Sequence, residues 1–156
     1  MPVYEEPLPG VLVRRMNRHE DSRGWLIELF RSDELPDGFE PTMGYLSVTH
    51  ANVARGPHEH VDQTDGFAFL SGTFRLFLWE NRPGREEKRV VIDVGEGDLV
   101  FVTVPPGVVH AYKNVGDSDA FVLNFPDRLY AGVNRAEAVD EIRHEEDKSS
   151  RFGMDD

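Results

Sequence analysis

Short apolar runs, rich in β-branched and aromatic residues, recur along the chain and are separated by Gly, Pro, Asn and Asp. This pattern is typical of strands joined by turns, and no amphipathic helix of convincing length interrupts it. It favours an all-β fold, a jelly-roll barrel in which two sheets pack face to face. Eight strands are predicted, at residues 11–16, 25–30, 44–49, 66–70, 73–79, 88–94, 99–104 and 120–125.

The length of 156 residues fits one domain with a single hydrophobic core, which we expect to occupy about residues 11–130. Residues 136–156 differ from the rest, because they carry eight acidic against three basic residues and offer little to bury. This C-terminal acidic segment is predicted to form a short helix or a frayed tail.

Composition limits the chemistry that the chain can perform. It contains no cysteine, so a metal ion would have to be held by histidine and carboxylate side chains, and a reducing compartment is favoured. Its net charge of −12 would repel nucleic-acid phosphates, so no nucleic-acid partner is expected. The first residues do not resemble a secretory signal and no apolar run reaches membrane-spanning length, which predicts a cytoplasmic protein without membrane contact.

Three of the six histidines fall in two segments that could share a site. His58 and His60 are two residues apart, a spacing that puts both side chains on one face of a strand. Asp65 follows on the next stretch of chain, and His110 comes shortly after the turn at Pro105-Pro106-Gly107. If His110 lies on a neighbouring strand, the four side chains form a divalent metal site with open positions for water or substrate. The alternative is a pair of surface histidines and an ordinary turn.

The spacing of these residues resembles the two-part signature of the cupin superfamily. The first part reads His-x-His, four residues, Asp65, six residues and Gly72; the second reads Gly97, seven residues and P-x-G-x-x-H-x-x-x-N at 105–114. Asp65 stands where the signature has Glu, and the gap after Gly97 is two residues longer than usual. The resemblance implies a cupin-type double-stranded β-helix, with residues 1–156 as one cupin domain.

A longer resemblance covers roughly residues 12–147. Segments throughout this range are similar to successive blocks of the dTDP-4-dehydrorhamnose 3,5-epimerase family: 21–28, 47–49, 55–58, Gln63, Gly72, 105–110 and 124–130. That family is a dimeric cupin that inverts centres beside the C4 ketone of a nucleotide-linked 4-keto-6-deoxy sugar, usually without metal. The resemblance implies a nucleotide-diphospho-sugar substrate, a homodimer and no required cofactor.

The same resemblance assigns binding residues. Arg23 and Glu28 would contact the nucleotide from a swapped N-terminal segment, Trp25 would lie near the base, and Arg55 would meet the diphosphate. Guanidinium groups suit phosphate, and an indole can stack on a base. The alternatives are an ordinary turn at Arg23 and a core role for Trp25. Three further substrate-binding residues are predicted: Gln63, His110 and Asn114.

The catalytic positions match the family only in part. His58 occupies the position of the general base, which takes a proton from the carbon beside the ketone. The lysine expected two residues after Gln63 is Asp65, and the general-acid tyrosine aligns with Asn124. Only the later tyrosine is present, as Tyr130. Two of the main catalytic groups of the family are therefore missing.

These departures fit a metal site, because the position that loses the lysine gains a carboxylate ligand. A divalent cation (Zn, Mn, Fe or Ni) held by the four residues of the motif could stabilise an enolate in place of the lysine. His58 could then not be both ligand and base. The base would have to be sought among Tyr112, Tyr130, Glu59 and a metal-bound water. Asp140 and Asp147 are the candidates for the carboxylate that orients the family's base.

Three functions follow from these alternatives. The first is an isomerase, a nucleotide-sugar epimerase that moves protons at C3, C5 or both in polysaccharide biosynthesis. The second is a metal-dependent cupin dioxygenase that uses the same histidine and aspartate set. The third is a non-catalytic cupin that binds sugar nucleotides.

Overall fold

The computed structural model describes residues 4–155 and contains thirteen strands in that part of the chain. The strands are β1 (Glu5–Leu8), β2 (Val11–Arg15), β3 (Arg18–Asp21), β4 (Gly24–Ile27), β5 (Tyr45–Thr49), β6 (Ala54–Glu59), β7 (Asp65–Phe69), β8 (Thr73–Glu80), β9 (Arg89–Gly95), β10 (Val100–Val104), β11 (Val108–Asn114), β12 (Ala120–Asn124) and β13 (Ile142–Arg143).

Two antiparallel sheets form the barrel. The six-stranded sheet has the order β1-β2-β10-β7-β12-β5, and the five-stranded sheet has the order β13-β6-β11-β8-β9. Side chains from both sheets meet in one buried core that includes Phe67, Phe69, Phe74, Leu76 and Val102. The all-β cupin-type jelly roll predicted from the sequence is confirmed. No helix within residues 4–155 is long and apolar enough to cross a membrane.

Two strands that carry the histidine motifs were not among the eight predicted strands. β6 contains a Gly-Pro pair and several polar residues, which are unusual in a strand, whereas β11 contains Val and Tyr and begins directly after the Pro-Pro-Gly turn. The predicted strand at 25–30 is shorter than expected: β4 ends at Ile27 and pairs only with β3 in a separate two-stranded sheet. The first histidine motif therefore lies on a strand that composition alone does not reveal.

A bulge in β6 brings the histidines together. His58 lies opposite His110 and Arg55 lies opposite Tyr112, so two residues of β6 face one residue of β11. The first residue of the bulge, Gly56, has a φ of +91°, and a Cβ there would lie 2.6 Å from the backbone oxygen of His110. Only glycine fits this close approach.

The C-terminal segment is more ordered than the sequence suggests. It contains the 3-10 helix His144–Glu146, which agrees with the expected short helix, but β13 also pairs with β6. Further along, Phe152 is only 8% exposed and packs against Trp79, with 5.7 Å between the ring centroids. Most of the segment is exposed, as its composition predicts, but this one aromatic side chain anchors it to the barrel.

We expect Phe152→Ala to lower the free energy of unfolding by about 3 kcal/mol, because it removes the buried ring that holds the segment on the barrel. Urea titration followed by tryptophan fluorescence measures this, since Trp79 lies in the affected contact. Val133→Ala, at a side chain that is 65% exposed, is the matched control and should change stability by less than about 0.5 kcal/mol. Equal effects of the two substitutions would contradict an anchoring role for Phe152.

Candidate functional site

Three histidines and an aspartate converge between the two sheets. His58 and His110 lie side by side on β6 and β11, with 4.6 Å between ring centroids, and His60 follows directly after β6. Asp65 is the first residue of β7 and comes from the opposite sheet. The ligating atoms of the three histidines all lie within 4.8 Å of one another. The structure thus brings together the four residues of the predicted metal site.

Asp65 is the central acceptor of this cluster. Its Oδ2 atom lies 2.8 Å from His60 Nε2 and 3.4 Å from His110 Nε2, while its Oδ1 atom accepts a hydrogen bond of 2.7 Å from Gln63 Nε2. The longer contact does not form a hydrogen bond, so the buried Nε2 atom of His110 has no hydrogen-bond partner among residues 4–155. Gln63, predicted to bind substrate, uses its amide to orient Asp65.

The outer nitrogens of two rings are fixed by backbone carbonyls. His110 Nδ1 donates to the oxygen of Val108 at 3.1 Å, and His60 Nδ1 donates to the oxygen of Asp140. These bonds orient both rings so that each Nε2 atom points at Asp65. Such hydrogen bonds on the far side of a ring are the usual support of metal-binding histidines.

The charges of the cluster are strongly coupled. Burial opposes the charge of Asp65, but the close contact and charge of His110, together with the hydrogen bond and charge of His60, hold the pKa of the carboxyl well below its ordinary value. Burial also opposes the charge of His60, yet the bond to Asp65 and its negative charge raise the pKa of His60 to about 9. Burial, followed by the charges of His110 and His60, lowers the pKa of His58 to about 2. His58 is therefore neutral under ordinary conditions.

A cavity of about 330 Å³ opens above the cluster. Two carboxylates on its wall come from the C-terminal segment: Glu141 Oε1 lies 3.8 Å and Glu145 Oε1 4.0 Å from His58 Nδ1. Glu141 also accepts a hydrogen bond of 3.0 Å from Arg143. Burial, together with the neighbouring charge of Glu141, raises the pKa of Glu145.

Sequence reasoning missed both of these glutamates. They reach His58 because Arg143 of β13 pairs with His58 of β6, a contact between segments more than eighty residues apart. Asp140 and Asp147, the candidates for the carboxylate that orients the base, make other contacts. The carboxylate of Asp140 accepts hydrogen bonds from the backbone N–H groups of residues 61–63, and that of Asp147 bonds to Ser149.

Glu59 does not reach the cavity, although it was one of the candidates for the base. Successive residues of a strand point to opposite faces, so Glu59 lies on the outside of β6 when His58 lies inside. Its carboxylate accepts hydrogen bonds of 2.8 Å from both Asn81 and His144. Its role is to hold the C-terminal segment on the sheet.

Several other predicted residues do line the cavity. The Tyr112 hydroxyl lies 3.2 Å from Ser47 Oγ, and burial raises the pKa of this tyrosine. Arg55 reaches the cavity too, but it donates to Thr49 Oγ1 at 3.0 Å and to the Val48 oxygen at 2.7 Å. Two additional lining residues are Tyr45, whose pKa burial also raises, and Asn124.

Four predicted residues lie away from this cavity in the same chain. Arg23, Trp25 and Glu28 belong to the exposed hairpin of β3 and β4 or follow it directly, and Trp25 is 53% exposed. Asn114 is completely buried, and its amide bonds to the backbone of Thr49, Gly116 and Ser118. Its contacts indicate a structural role.

A second cavity of about 550 Å³ adjoins the first and shares four lining residues with it: Tyr45, His60, Glu141 and Arg143. Tyr130 lines this second cavity and not the first, and it is 55% exposed. Gln63 also contributes to its wall. Tyr130 therefore shares a cavity with His60 of the cluster, but it does not line the cavity that contains His58.

Comparison with solved structures supports the fold. A dTDP sugar isomerase from Desulfovibrio desulfuricans G20 superposes with a TM-score of 0.82 at 18% identity, covering 97% of this chain and 93% of that one. A dTDP-4-dehydrorhamnose 3,5-epimerase from Sulfolobus tokodaii gives a TM-score of 0.74 at 19% identity, covering 92% and 82% of the two chains. At this level of identity the likeness shows a common fold.

Sequence relatives are more specific. The chain is 32% identical over 124 residues to the probable low-salt glycan biosynthesis epimerase Agl13 of Haloferax volcanii, covering 77% of this chain and 79% of that protein. It is 29% identical over 126 residues to the spore coat polysaccharide biosynthesis protein SpsL of Bacillus subtilis, covering 79% and 82%. The family model of the polysaccharide biosynthesis C-terminal domain matches residues 19–136, and the chain belongs to that family.

Proposed function

We propose that the protein is a nucleotide-sugar epimerase of glycan biosynthesis, acting beside the C4 ketone of a nucleotide-diphospho-4-keto-6-deoxy sugar. The observation that carries this proposal is the buried cluster of three histidines and Asp65 on the floor of a cavity whose wall presents two glutamates. Membership of the polysaccharide biosynthesis family and the similarity to a glycan epimerase support the substrate class.

The cluster fits a divalent cation. The Nε2 atom of His110 is buried without a hydrogen-bond partner among the described residues, and both ring nitrogens of His60 face oxygen atoms that can only accept. Imidazole and carboxylate groups suit zinc, manganese, iron and nickel. We assign His58, His60, Asp65 and His110 as the residues that would hold the ion. Bound there, a cation would supply Lewis-acid stabilisation of negative charge on the substrate oxygen.

Glu145 is the residue that we assign as general base. A proton acceptor works best when its pKa lies near the working pH, and burial moves the pKa of Glu145 upward in that direction. His58 is a weak acceptor, since its pKa is low. Glu141 is held by Arg143 and keeps a second negative charge beside His58.

Inversion also needs a group that returns the proton on the other face of the carbon. Tyr112 lines the cavity, and its raised pKa keeps the hydroxyl protonated at neutral pH. We assign this hydroxyl as the donor, in place of the tyrosine that the resemblance would put at Asn124. Ser47 orients the hydroxyl through its hydrogen bond.

The exposed hairpin of β3 and β4 supports a homodimer. Trp25 and Leu26 are neighbouring apolar side chains that are 53% and 57% exposed. Exposed apolar patches of this kind often mark protein–protein interfaces. In a dimer this hairpin would cover the cavity of the other protomer and bring Arg23, Trp25 and Glu28 to the nucleotide. A cytoplasmic location is proposed because the chain lacks cysteine.

The first prediction concerns metal binding. Asp65→Asn removes the central charge of the cluster and should weaken the binding of Zn²⁺, Mn²⁺ or Ni²⁺ by at least about 100-fold, while Gln63→Leu should weaken it by about 10- to 100-fold. Isothermal titration of the metal-depleted protein, with elemental analysis of the purified one, measures this. Asp62→Asn, at an exposed neighbour, is the control and should bind as the unsubstituted protein does. Absence of binding by the unsubstituted protein would refute the metal site.

The second prediction tests the reaction. With a dTDP-, UDP- or GDP-linked 4-keto-6-deoxy sugar in heavy water, we expect deuterium to enter the sugar at C3, C5 or both. Glu145→Gln should slow exchange by at least about 100-fold, because it removes the proton acceptor, and should leave metal binding unchanged. Glu146→Gln, a largely exposed neighbour, is the control. If no tested sugar exchanges protons, the epimerase proposal fails; oxygen uptake instead would favour the dioxygenase.

The third prediction concerns stability against pH in the metal-free protein. The pKa of His60 is raised from 6.5 to about 9, so its stabilising contribution is present below pH 6.5 and is lost as the pH rises through about 9. The pKa of His58 is lowered from 6.5, so the unfolded chain takes up a proton that the folded protein excludes, and stability falls below pH 6.5.

We therefore expect the free energy of unfolding to be largest near pH 6.5, as measured by urea titration across the pH range. His60→Asn should remove most of the decrease in the free energy of unfolding above pH 6.5 and keep the decrease below pH 6.5. His19→Gln, at an exposed histidine, should change neither decrease. A constant stability between pH 6.5 and about 9 would show that His60 does not carry the extra proton.

A further inference from the structure

The arginines of this acidic protein are nearly all engaged. Among the described residues, eleven of the fourteen have a side-chain hydrogen bond, an ion pair or a ring contact. The three that have none in residues 4–155 are Arg85, Arg128 and Arg135. Arg128 and Arg135 line the same cavity, the second one described above.

That cavity is well placed for a group attached to a sugar. It shares Tyr45, His60, Glu141 and Arg143 with the cavity above the histidine cluster. A ligand whose ring lies at the cluster can therefore extend into the second cavity without leaving the protein surface. In a nucleotide sugar, the group that follows the ring is a diphosphate, which carries two negative charges.

The arginines that the family resemblance assigns to the nucleotide are less free. Arg55 already donates to Thr49 and to the backbone of Val48. Arg23 forms a two-point ion pair with Asp21 at the exposed hairpin, where its Nε and Nη2 atoms bond to the two carboxylate oxygens. Binding phosphate with either residue requires that these contacts be shared or broken.

Four acidic residues also line the second cavity, and two of them are compensated. Asp140 accepts three backbone hydrogen bonds, and Glu141 is paired with Arg143. Asp62 and Glu137 remain, and within residues 4–155 neither forms an ion pair with Arg128 or Arg135. The negative charge of the adjacent Asp127 also acts on Arg128, but within residues 4–155 neither guanidinium group is held in an ion pair, so both can bind an added anion.

The loop that carries Arg135 has an unusual backbone. Ala131, Asn134 and Arg135 all have positive φ angles near +57°, a region that side-chain-bearing residues rarely adopt. Backbone hydrogen bonds hold the loop in this shape, among them Arg135 N to the Gly132 oxygen and Glu137 N to the Ala131 oxygen. Strain of this kind persists where surrounding contacts fix it, often at ligand sites.

We propose that the second cavity binds the diphosphate of the nucleotide-sugar substrate, and that Arg128 and Arg135 are its main cationic ligands. The forked guanidinium groups match phosphate oxygens in two-point hydrogen bonds. This inference rests on the proposed function for the identity of the sugar. The anion site itself is inferred from two arginines that form no ion pair within residues 4–155 and from the continuity of the two cavities.

Binding of inorganic pyrophosphate, dTDP and UDP, measured by isothermal titration without turnover, tests the proposal. We expect the doubly substituted Arg128→Gln, Arg135→Gln protein to bind each at least tenfold more weakly than the unsubstituted protein. Thymidine, which lacks phosphate, should bind weakly and equally to both. Arg85→Gln is the matched control, because Arg85 is the third unpaired arginine and lines neither of these cavities. Unchanged affinity in the double variant, or equal loss in the control, would overturn the assignment.

The failure of this inference can be told apart from failure of the proposed function. If deuterium exchange occurs and the double variant keeps the KM of the unsubstituted protein, the diphosphate binds elsewhere and the epimerase proposal stands. If no sugar exchanges deuterium but the double variant loses affinity for dTDP and pyrophosphate, the anion site stands and the epimerase proposal fails.

Discussion

A carboxylate removed from water is the constraint on which the site depends. Asp65 is 3% exposed and lies between the two sheets, where an isolated negative charge would be very costly. Two imidazoles and the Gln63 amide surround it, and two of these groups are held in place by further hydrogen bonds. The bulge at Gly56 is part of the same constraint, since it sets His58 beside His110. The cluster is thus built into the pairing of the strands.

At position 65, the floor of the cavity differs from what the epimerase resemblance implies, and this difference changes the charge of the site. A lysine at position 65 would bring a positive charge, whereas the aspartate brings a negative one that requires cations or donors nearby. Asn124, at the position of the expected tyrosine, has a buried Oδ1 atom without a hydrogen-bond partner in residues 4–155. Tyrosine hydroxyls do reach the cavity, but from Tyr45 and Tyr112 on other strands. The cavity therefore contains tyrosine hydroxyls, but they come from strands other than β12, which carries Asn124.

The histidine and aspartate set could be predicted from the sequence because its members are close in the chain or follow recognisable turns. His58 and His60 need only the two-residue period of a strand, and the Pro-Pro-Gly turn marks the approach to His110. Glu141 and Glu145 could not be predicted, because their position depends on a two-residue strand that pairs with β6 across most of the chain. Arg128 and Arg135 were equally hidden, since only the structure shows which arginines lack partners. The strand β6 was missed because glycine, proline and polar residues replace the usual β-forming ones, and Gly56 among them is needed for the close approach to β11.

The barrel and the C-terminal segment contribute different groups to the site. The barrel supplies the histidines and Asp65, while residues after 139 supply Glu141, Glu145 and the carbonyl that fixes His60. The segment is attached through Phe152, Glu59 and a short strand, and the barrel core does not depend on its acidic residues. Substitutions in that segment can therefore change the carboxylates that face His58 without changing the barrel core. A chain that ended before residue 140 would keep the barrel core and Asp65, but it would lose both the carboxylates near His58 and the carbonyl oxygen that holds the His60 ring.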